Sequence, residues 1–583
     1  MQVVHFGVGA QRFCVEKNFR FIKIGECCGG SHYHTAISRS QVLKASAHAH
    51  PKLRRIIILK RQNVDRAVFV PTMILFGIVS LVLIIGGSAV QQTMNAVLSF
   101  LTTKTEWLYV LIYVINFIFF MALVMSKYGR IKLGKPGVKA DYNGFQWGSM
   151  VFATGIDASI LMLSATDPLQ YLQHPAFGAK PFSSAAYVYA NVVGEFNWGP
   201  MAWMIFATAT IAIAYTMHVK GKHVQRLSAA IPLLQGPGRT RHVLRQLIDF
   251  LVVFGIMGGI GSSIGMEIPV IAKVLSTITG VPDNIYLKLA LFVVLFILFA
   301  LTVYAGLNKG IKKLSAWHIY LAIGFLIIVL LVGPTMKLIG GEGQTLALMV
   351  QHFTAMSFNK ANPGVNSFAQ HQTMFYWGWW LSYMPVMGLF IARISRGKTI
   401  RQVIVGMLTY GVGGCLSFYA VLGGYALWLQ QTGTVNLVHI LNTQGQASVL
   451  AALIQTLPMK MIMLVMFCLS CFVFLATTIS SSAFIVSSFT SLKLSGTEQP
   501  TRWNRMAWVI IFIVFSLGIV LVGGFETVQA ICTIAGFPLI FVALLLLHSI
   551  YQSVMTDPSV QRANLVAPAN ERREWMRQRL SEQ

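Results

Sequence analysis

A repeated pattern of long apolar segments limits the fold of this chain more than any other feature. Each segment has roughly the 20 residues that an α-helix needs to cross the hydrocarbon core of a bilayer. We count twelve segments, at residues 68–90, 106–126, 147–166, 196–218, 247–275, 285–306, 317–338, 374–394, 403–428, 460–490, 507–523 and 531–551. The pattern predicts an all-α integral membrane protein with twelve transmembrane helices, because helices satisfy their own backbone hydrogen bonds in lipid.

The composition agrees with this class of protein. Of the 583 residues, 55% are hydrophobic and 11% are charged, whereas charged residues make up about a quarter of a soluble domain. The formal net charge is +27, but the basic residues lie in short segments between apolar runs. We therefore interpret the charge as a signal of membrane topology and predict no nucleic-acid partner.

The connections between the apolar segments alternate in charge, and cytoplasmic connections are typically rich in Lys and Arg. With a cytoplasmic N-terminus, the inner connections carry Lys127, Arg130, Lys132, Lys135, Lys139, Lys220, Lys222, Arg226, Arg239, Arg241, Lys309, Lys312, Lys313, Arg393, Arg396, Lys398 and Arg401. The external connections have few basic residues. We therefore predict that the long connections at 339–373 and 429–459 are external and that both termini are cytoplasmic.

The two ends of the chain differ from its apolar middle, residues 64–553. Residues 1–63 are basic and lack the pattern of a signal peptide, so we predict a disordered cytoplasmic extension or a mis-started leader. The cysteines and histidines of this segment do not have the spacing of a zinc site. We predict no metal, no cofactor and no disulfide framework. Residues 554–583 are predicted to form a charged cytoplasmic tail.

Polar residues at membrane depth are costly and usually functional. In the third segment, Gly155, Asp157 and Ser159 interrupt the apolar run. A break in a membrane helix is tolerated where the backbone is buried in protein or lines a cavity. Packing of small residues explains Gly155 and Ser159 equally well, whereas Asp157 near the middle of the segment favours a functional site.

Several other polar positions allow both a structural and a functional interpretation. Glu267 follows a glycine-rich run, and a structural hydrogen bond explains it as well as a coupling role does. Thr477 and Thr478 either return hydrogen bonds to their own helix or coordinate an ion. His318 is either a packed core residue or a switchable positive charge.

Aromatic residues concentrate in the fourth and eighth segments. An interfacial belt would place the rings at helix ends, yet Trp380 and Tyr383 lie one turn apart and well inside the eighth segment. Rings that face one cavity form a cage for a quaternary ammonium group, which each desolvated contact attracts by about 2 kcal/mol or more. The candidate rings are Trp198, Trp203, Phe206, Trp377, Trp379, Trp380 and Tyr383.

The eighth segment and the connection after it also carry a specific motif, Phe375-Tyr-Trp-Gly-Trp-Trp380 followed by Ile391-Ala-Arg-Ile-Ser-Arg-Gly397. Supporting matches are Asp167-Pro-Leu169, Asn197-Trp-Gly199, Ser262-Ser-Ile-Gly265 and Gly306-Leu-Asn-Lys-Gly310. Together they resemble the betaine/choline/carnitine transporter family over about Val64 to Gln552, and most closely its sodium-independent carnitine/γ-butyrobetaine exchangers.

This resemblance implies a fold of two inverted five-helix repeats, at about 145–338 and 370–553, preceded by two extra helices. It also implies a homotrimer in the bacterial cytoplasmic membrane whose protomers transport a quaternary-ammonium compound by alternating access. An enzyme is not indicated, because the sequence contains no evident nucleophile–base set and no metal-ligand spacing.

The resemblance also assigns residues to the binding site. By position, Trp198, Trp203, Phe206 and Trp380 would form the central cage, and Trp379 and Tyr383 would line the path toward the cytoplasm. Phe206 stands where sodium-coupled betaine carriers usually have Tyr. Gln170 and Leu163 stand where the exchanger has two rings, so Gln170 is a candidate to hydrogen-bond a substrate carboxylate or hydroxyl.

The residues at the predicted ion-coupling positions favour more than one mode of transport. His318 and Met387 occupy positions where the sodium-independent exchanger has an Arg and a Met in place of sodium, which favours sodium-independent exchange. Thr477 and Thr478 match the sodium-binding hydroxyls of the symporters, which favours retained sodium coupling. Because His318 is protonatable, proton-linked transport is a third possibility.

The departures in the third segment leave the substrate open as well. Choline carriers place Asp at the position of Ser159, whereas here the carboxylate is Asp157, two residues earlier. Our leading hypothesis is a carrier for carnitine, γ-butyrobetaine or a related betaine. The alternatives are a sodium- or proton-coupled uptake symporter for choline or glycine betaine, and a transport-silent membrane protein that senses such a ligand.

Overall fold

The computed structural model describes residues 4–8, 11–15 and 64–557, except positions 136, 156–157, 223–225, 306–309, 361–366, 493–498 and 524. Side chains are additionally not described at 4–8, 11–15, 153–155, 158, 302–305, 310–319 and 477. The chain divides into two compact units, Met1–Gln62 and Asn63–Gln583.

The first unit contains a short β-hairpin where the sequence analysis predicts a disordered extension. Strands β1 (Val4–Val8) and β2 (Gln11–Val15) pair antiparallel, with Val4 opposite Val15. The C-terminal tail predicted beyond the membrane domain lies outside the described residues from position 558 onward.

The second unit is built from α-helices. Its first part contains α1 (Arg66–Lys104), α2 (Glu106–Met125), α3 (Gly144–Gly155), α4 (Ala158–Gln173), α5 (Ser184–Tyr189), α6 (Val192–Trp198), α7 (Pro200–Ala214), α8 (Arg239–Thr279), α9 (Ile285–Ala305), α10 (Gly310–Val332) and α11 (Thr335–Ser357). Its second part contains α12 (Phe368–Ile394), α13 (Ile400–Gly406), α14 (Gly413–Phe418), α15 (Gly424–Thr432), α16 (Leu437–Gln444), α17 (Gln446–Gln455), α18 (Lys460–Phe489), α19 (Arg502–Val522), α20 (Phe525–Gly536) and α21 (Leu539–Met555).

Short irregular helices complete this unit and lie at its connections. The 3₁₀ turns are Lys127–Arg130, Leu227–Ala230 and Pro232–Leu234. The π-helical turns are Tyr215–Val219, Met407–Val412 and Tyr419–Gly423. The last two join α13, α14 and α15 into one continuous helical run, and such π turns frequently mark functional regions.

The helices form a buried centre and a lipid-facing periphery. Helix α1 exposes large aliphatic side chains along one stripe, including Ile74, Ile78 and Ile85. By contrast, every side chain of α7 after Pro200 is buried, as are most of those in the middle of α8. Because aliphatic stripes of this size are costly in water, the periphery is suited to contact with lipid.

Within the described residues, seven helical stretches are long and apolar enough to cross a membrane, and two of them, Ser184–Val219 and Ile400–Thr432, each comprise several of the elements named above. Two bent pairs raise this number to nine, namely the α10 residues Tyr320–Val332 with α11, and α20 with α21. Helix α12 is not among them because its rings and polar residues lower its mean hydropathy. The all-α membrane class is therefore confirmed, whereas the count of twelve and the inverted repeats stay predictions.

The third apolar segment contains α3 and α4, which lie on either side of positions 156–157. Helix α3 ends at Gly155 and α4 begins at Ala158. The two positions between them, which include Asp157, lie outside the described residues. The predicted interruption of this segment therefore stays a prediction.

Candidate functional site

A helix break carries the first ring into the centre of the protein. Helix α6 ends at Trp198, Gly199 forms the turn, and Pro200 begins α7. Proline suits the first position of a helix because its missing N–H would have no partner there. A Cβ on Gly199 would lie 2.7 Å from the carbonyl oxygen of Glu195, so this turn requires glycine. The local sequence therefore sets the break that positions Trp198.

The four residues predicted to form the cage lie next to one another and are buried. The ring centroids of Trp198 and Trp380 are 4.6 Å apart, and those of Phe206 and Trp380 are 5.9 Å apart. Trp203 lies 5.7 Å from Phe206 and meets it edge to face. None of the four residues is more than 5% exposed. The rings therefore lie inside the helix bundle and not in an interfacial belt.

Two further rings extend this cluster along α12. Trp379 stacks on Trp380 with centroids 5.1 Å apart, and Tyr383 meets Trp379 edge to face at 6.0 Å. The hydroxyl groups of Tyr383 and Ser263 form a hydrogen bond of 2.7 Å. Tyr383 thus connects the ring cluster to the glycine-rich helix α8.

The remaining tryptophan of the motif, Trp377, packs against α2 and not in the ring cluster. Trp377 stacks on Tyr113 of α2 with centroids 4.4 Å apart. The Tyr113 hydroxyl donates a hydrogen bond to the carbonyl oxygen of Trp377 at 2.7 Å. Of the tryptophans on α12, Trp377 therefore packs between helices, whereas the other two join the cluster.

Hydrogen bonds fix the central ring and its neighbour. The Trp380 Nε1 group donates to the carbonyl oxygen of Asn197 at 2.8 Å. Tyr376 stacks on Trp380 at 5.8 Å and donates its hydroxyl to Oδ2 of Asp167. The Tyr419 hydroxyl donates to the same oxygen at 2.8 Å. The cluster is thereby joined to a buried carboxylate.

Tyr376 and Asp167 were not among the predicted site residues. Tyr376 lies four residues before Trp380 on the same helix, a spacing that brings side chains together, so this signal was present in the sequence. Asp167 belongs to a motif of the resemblance, but its two tyrosine partners come from α12 and from the π turn Tyr419–Gly423. Nothing in the local sequence predicts that these two tyrosines bond to Asp167.

Two of the predicted coupling residues meet directly. The Ser159 hydroxyl donates a hydrogen bond to Oε1 of Glu267 at 2.9 Å, and both side chains are buried. This contact joins α4 to α8. Met387 is also buried and lies one turn beyond Tyr383 on α12. Thr478 is half-buried on α18, whereas Asp157 and the side chains of His318 and Thr477 lie outside what the structure describes.

Gln170 does not stack on the cage rings but lines a cavity of about 530 Å³ between α4, α8 and the helices around Leu441–Ser448. Its Oε1 accepts a hydrogen bond from Gln372 at 3.3 Å, and Gln372 accepts one from Gln529 at 3.0 Å. The three amides thus join α4, α12 and α20. A polar amide at the wall of this cavity is suited to hydrogen-bond a solute.

Among the described residues, no group of three or more His, Cys, Asp or Glu side chains is arranged to hold a metal ion. The site therefore consists of aromatic faces, two buried carboxylates and their hydroxyl partners. Helices that break near a buried site are typical of secondary transporters, whose sites lie between discontinuous helices. The fold and the site together define a multi-pass membrane protein of the transporter class.

The family follows from comparison with known proteins. Residues 67–559 match the model of the betaine/carnitine/choline family of transporters, so the chain belongs to that family. Members of the family are secondary transporters rather than enzymes.

Curated relatives agree with this assignment. The chain is 28% identical over 476 residues to the glycine betaine transporter OpuD of Bacillus subtilis, which covers 81% of this chain and 91% of the relative. It is 28% identical over 450 residues to a carnitine transporter of Acinetobacter baumannii, covering 77% and 81%. It is 29% identical over 472 residues to a probable glycine betaine transporter of Desulfitobacterium hafniense, covering 80% and 92%.

Proposed function

We propose that this protein moves carnitine, γ-butyrobetaine or a related betaine across the membrane by alternating access. The observation that carries the proposal is the buried cluster of Trp198, Phe206 and Trp380, whose centroid separations are 4.6 and 5.9 Å. A cation within about 6 Å of a ring centroid is attracted by the negative face of the ring. A trimethylammonium group suits such a site because its weak hydration makes it easy to desolvate.

A separate cavity beside α4 supports a substrate that also carries polar groups. Gln170 stands at the wall of this 530 Å³ cavity, and its amide is suited to a carboxylate or hydroxyl of a betaine. The relatives bear the names of a glycine betaine transporter and a carnitine transporter. Both names denote compounds with a quaternary ammonium and a carboxylate, which is the chemistry that the cage and the amide would recognise.

The proposed architecture is twelve transmembrane helices arranged as two inverted five-helix repeats after two additional helices. The break at Gly199 between α6 and α7 supports it, because inverted-repeat transporters bind substrates at broken helices. The basic inner connections support cytoplasmic termini. We further propose that the protein lies in the bacterial cytoplasmic membrane as a homotrimer, by analogy with its family.

For coupling, we propose sodium-independent transport by substrate exchange. Met387 is buried one turn from Tyr383. By the resemblance, Met387 and His318 stand where the sodium-independent exchanger has a Met and an Arg in place of sodium. Sodium- or proton-coupled symport is the second candidate. It is favoured by the buried Ser159–Glu267 pair, which offers a hydroxyl and a carboxylate, the oxygen ligands that hard cations and protons use.

Counterflow in reconstituted vesicles tests the proposal. Vesicles preloaded with unlabelled carnitine should accumulate radiolabelled carnitine equally in sodium-containing and sodium-free buffer, because exchange needs no ion gradient. Uptake that requires a sodium gradient would exclude sodium independence and favour the symporter. Binding of carnitine without flux in either buffer would exclude transport and favour a ligand-sensing membrane protein.

A further inference from the structure

A buried carboxylate lies one helical turn before the cage. Glu195 is located on α6, three residues before Trp198, and its side chain is fully buried. Neither Oε1 nor Oε2 of Glu195 accepts a hydrogen bond from a described residue. An isolated carboxylate in such a place is expensive, because burial removes the water that would solvate its charge. Glu195 therefore needs a partner that the hydrogen bonds of the fold do not supply.

The group that faces Glu195 is a second carboxylate. Glu342 lies on α11 within hydrogen-bonding reach of Glu195. The Oε2 atom of Glu342 is buried and also lacks a described donor. Helix α11 turns by 108° from α10, so it runs across the bundle instead of continuing through it. The two carboxyl groups thus connect α11, which runs across the bundle, to α6, which ends at the cage residue Trp198.

Among the described side chains of the neighbouring elements, no cation forms an ion pair with Glu195 or Glu342. Besides tyrosines and Cys415, the described ionisable side chains on the elements packed against α6 and α11 are Glu106, Asp167, Lys337, His352, His371 and Arg393. The Arg393 guanidinium lies over the ring of Phe484 at the end of α12. Helix α10 also carries Lys312, Lys313 and His318, whose side chains lie outside what the structure describes. Lys337 is exposed, and the His352 ring stacks on Phe177 at 4.1 Å.

Two ionised carboxylates cannot hydrogen-bond each other, because an ionised carboxylate only accepts. One added proton changes this, since a carboxylic acid donates to the neighbouring carboxylate and one of the two negative charges disappears. Two carboxyl groups within hydrogen-bonding reach of each other then titrate as a unit that holds one proton between them. A single proton is therefore the smallest ligand that satisfies both side chains.

We propose that Glu195 and Glu342 form a proton-binding site that fastens the transverse helix α11 to the cage helix α6. When the shared proton is lost, the two negative charges repel and α11 separates from α6. Because Trp198 is the last residue of α6, this separation disturbs the ring cluster. Transport is then fastest at a pH where the pair keeps its proton, and it falls as the pH rises.

Infrared difference spectroscopy of the purified full-length protein tests the site without relying on transport. The wild-type protein should show the C=O stretching band of a buried carboxylic acid at neutral pH, with the isotope shift in D₂O that marks an exchangeable proton. Glu195→Gln and Glu342→Gln should each lose this band. Glu526→Gln should keep it, because Glu526 is exposed on α20 and bonds to Asn95.

The uptake experiment tests the consequence for transport, and it rests on the proposed function. Wild-type uptake should fall about tenfold for each pH unit above the titration of the pair. Glu195→Gln should make uptake nearly independent of pH over that range, because a glutamine amide donates to Glu342 with or without the proton. Thermal unfolding of each variant shows whether it is folded.

The outcomes separate the inference from the proposed function. A carboxylic band that survives in both Gln variants overturns the inference, as does a bound sodium or calcium ion that is lost in Glu195→Gln. A band that disappears as expected in a protein without flux supports the proton site and removes the transport function. A band that disappears while the pH profile of uptake is unchanged overturns the fastening role.

Discussion

Trp380 occupies the centre of the ring cluster because it is fixed at its edge and packed on several sides. Its Nε1 donates to the backbone of Asn197, Trp379 stacks on it, and Trp198 meets it edge to face. A ring held in this way is pre-organised, so a ligand loses little free energy in ordering it. At the residue scale, the ring cluster is therefore a rigid surface.

The first prediction concerns this ring. Trp380→Ala should abolish saturable uptake of a trimethylammonium substrate and weaken its binding by about 30-fold, since one desolvated cation–π contact of about 2 kcal/mol is lost. Titration calorimetry and uptake in vesicles measure the two effects. The variant should elute from a sizing column as the same oligomer as the wild type.

The matched control for that ring is Trp107→Ala. Trp107 is 62% exposed at the start of α2, so its removal deletes an indole without touching the cluster, and binding should stay within twofold of wild type. Persistent saturable uptake in Trp380→Ala would remove the cage from the mechanism.

At the scale of elements, the position of α12 depends on α20 and α7, which approach it closely at glycine residues. A Cβ on Gly536 of α20 would lie 2.0 Å from the carbonyl oxygen of Gly378 on α12. A Cβ on Gly388 would lie 2.3 Å from Cβ of Ala209 on α7. Small residues permit this approach and are typical of helix contacts in membranes. The glycines therefore set the distance at which the rings of α12 meet those of α6 and α7.

The second prediction follows from this contact. Gly536→Ala should greatly reduce the yield of folded protein, because the added methyl group meets backbone atoms that cannot move without separating α20 from α12. Size-exclusion profiles of the detergent-solubilised protein measure the yield. Gly324→Ala is the control, since a Cβ at that position of α10 has no neighbour within 4 Å. Equal yields for the two variants would contradict the tight contact.

At the scale of the whole molecule, one arginine joins segments that are distant in sequence. Nη1 of Arg226 lies 2.6 Å from Oδ2 of Asp65 and 3.4 Å from Oδ2 of Asp249. Nη2 donates to the carbonyl oxygen of Ser491 at 2.9 Å. Both aspartates are buried. Arg226 thus connects the beginning of α1, the first turns of α8 and the end of α18 at a single point.

The third prediction tests that connection. Arg226→Ala should lower the free energy of unfolding by about 3–5 kcal/mol, because removing one partner leaves buried carboxylates without a counter-charge. Thermal unfolding of the purified protein shows this as a lower midpoint. Arg239→Ala, at an exposed position at the start of α8, should leave the midpoint unchanged. A midpoint for Arg226→Ala equal to that of Arg239→Ala would show that the network contributes nothing to stability.

The basic connections likewise have a role that charge counting alone does not reveal. Arg401 was predicted as one of the residues that orient the chain. Its guanidinium also donates to the carbonyl oxygens of Val124 at 2.7 Å and Ser126 at 3.1 Å. These bonds satisfy backbone acceptors at the end of α2 that have no partner within the helix. The side chain that is predicted to orient the chain therefore also caps the end of α2.

The sequence by itself determined the membrane class, the family and the helices that carry the rings. These properties are local, since apolar length and the four-residue spacing of Tyr376 and Trp380 can be followed along the chain. The described helices give seven to nine membrane spans, and the prediction of twelve goes beyond them.

Only the tertiary structure decided which polar groups meet. Ser159 and Glu267 are 108 residues apart, and Tyr376 and Asp167 are 209 residues apart. Such pairs depend on the rotation and crossing of each helix, which its contacts with all its neighbours decide together. The sequence of a helix shows that a polar residue is present at membrane depth. The partner of that residue depends on how helices that are distant in the sequence pack together.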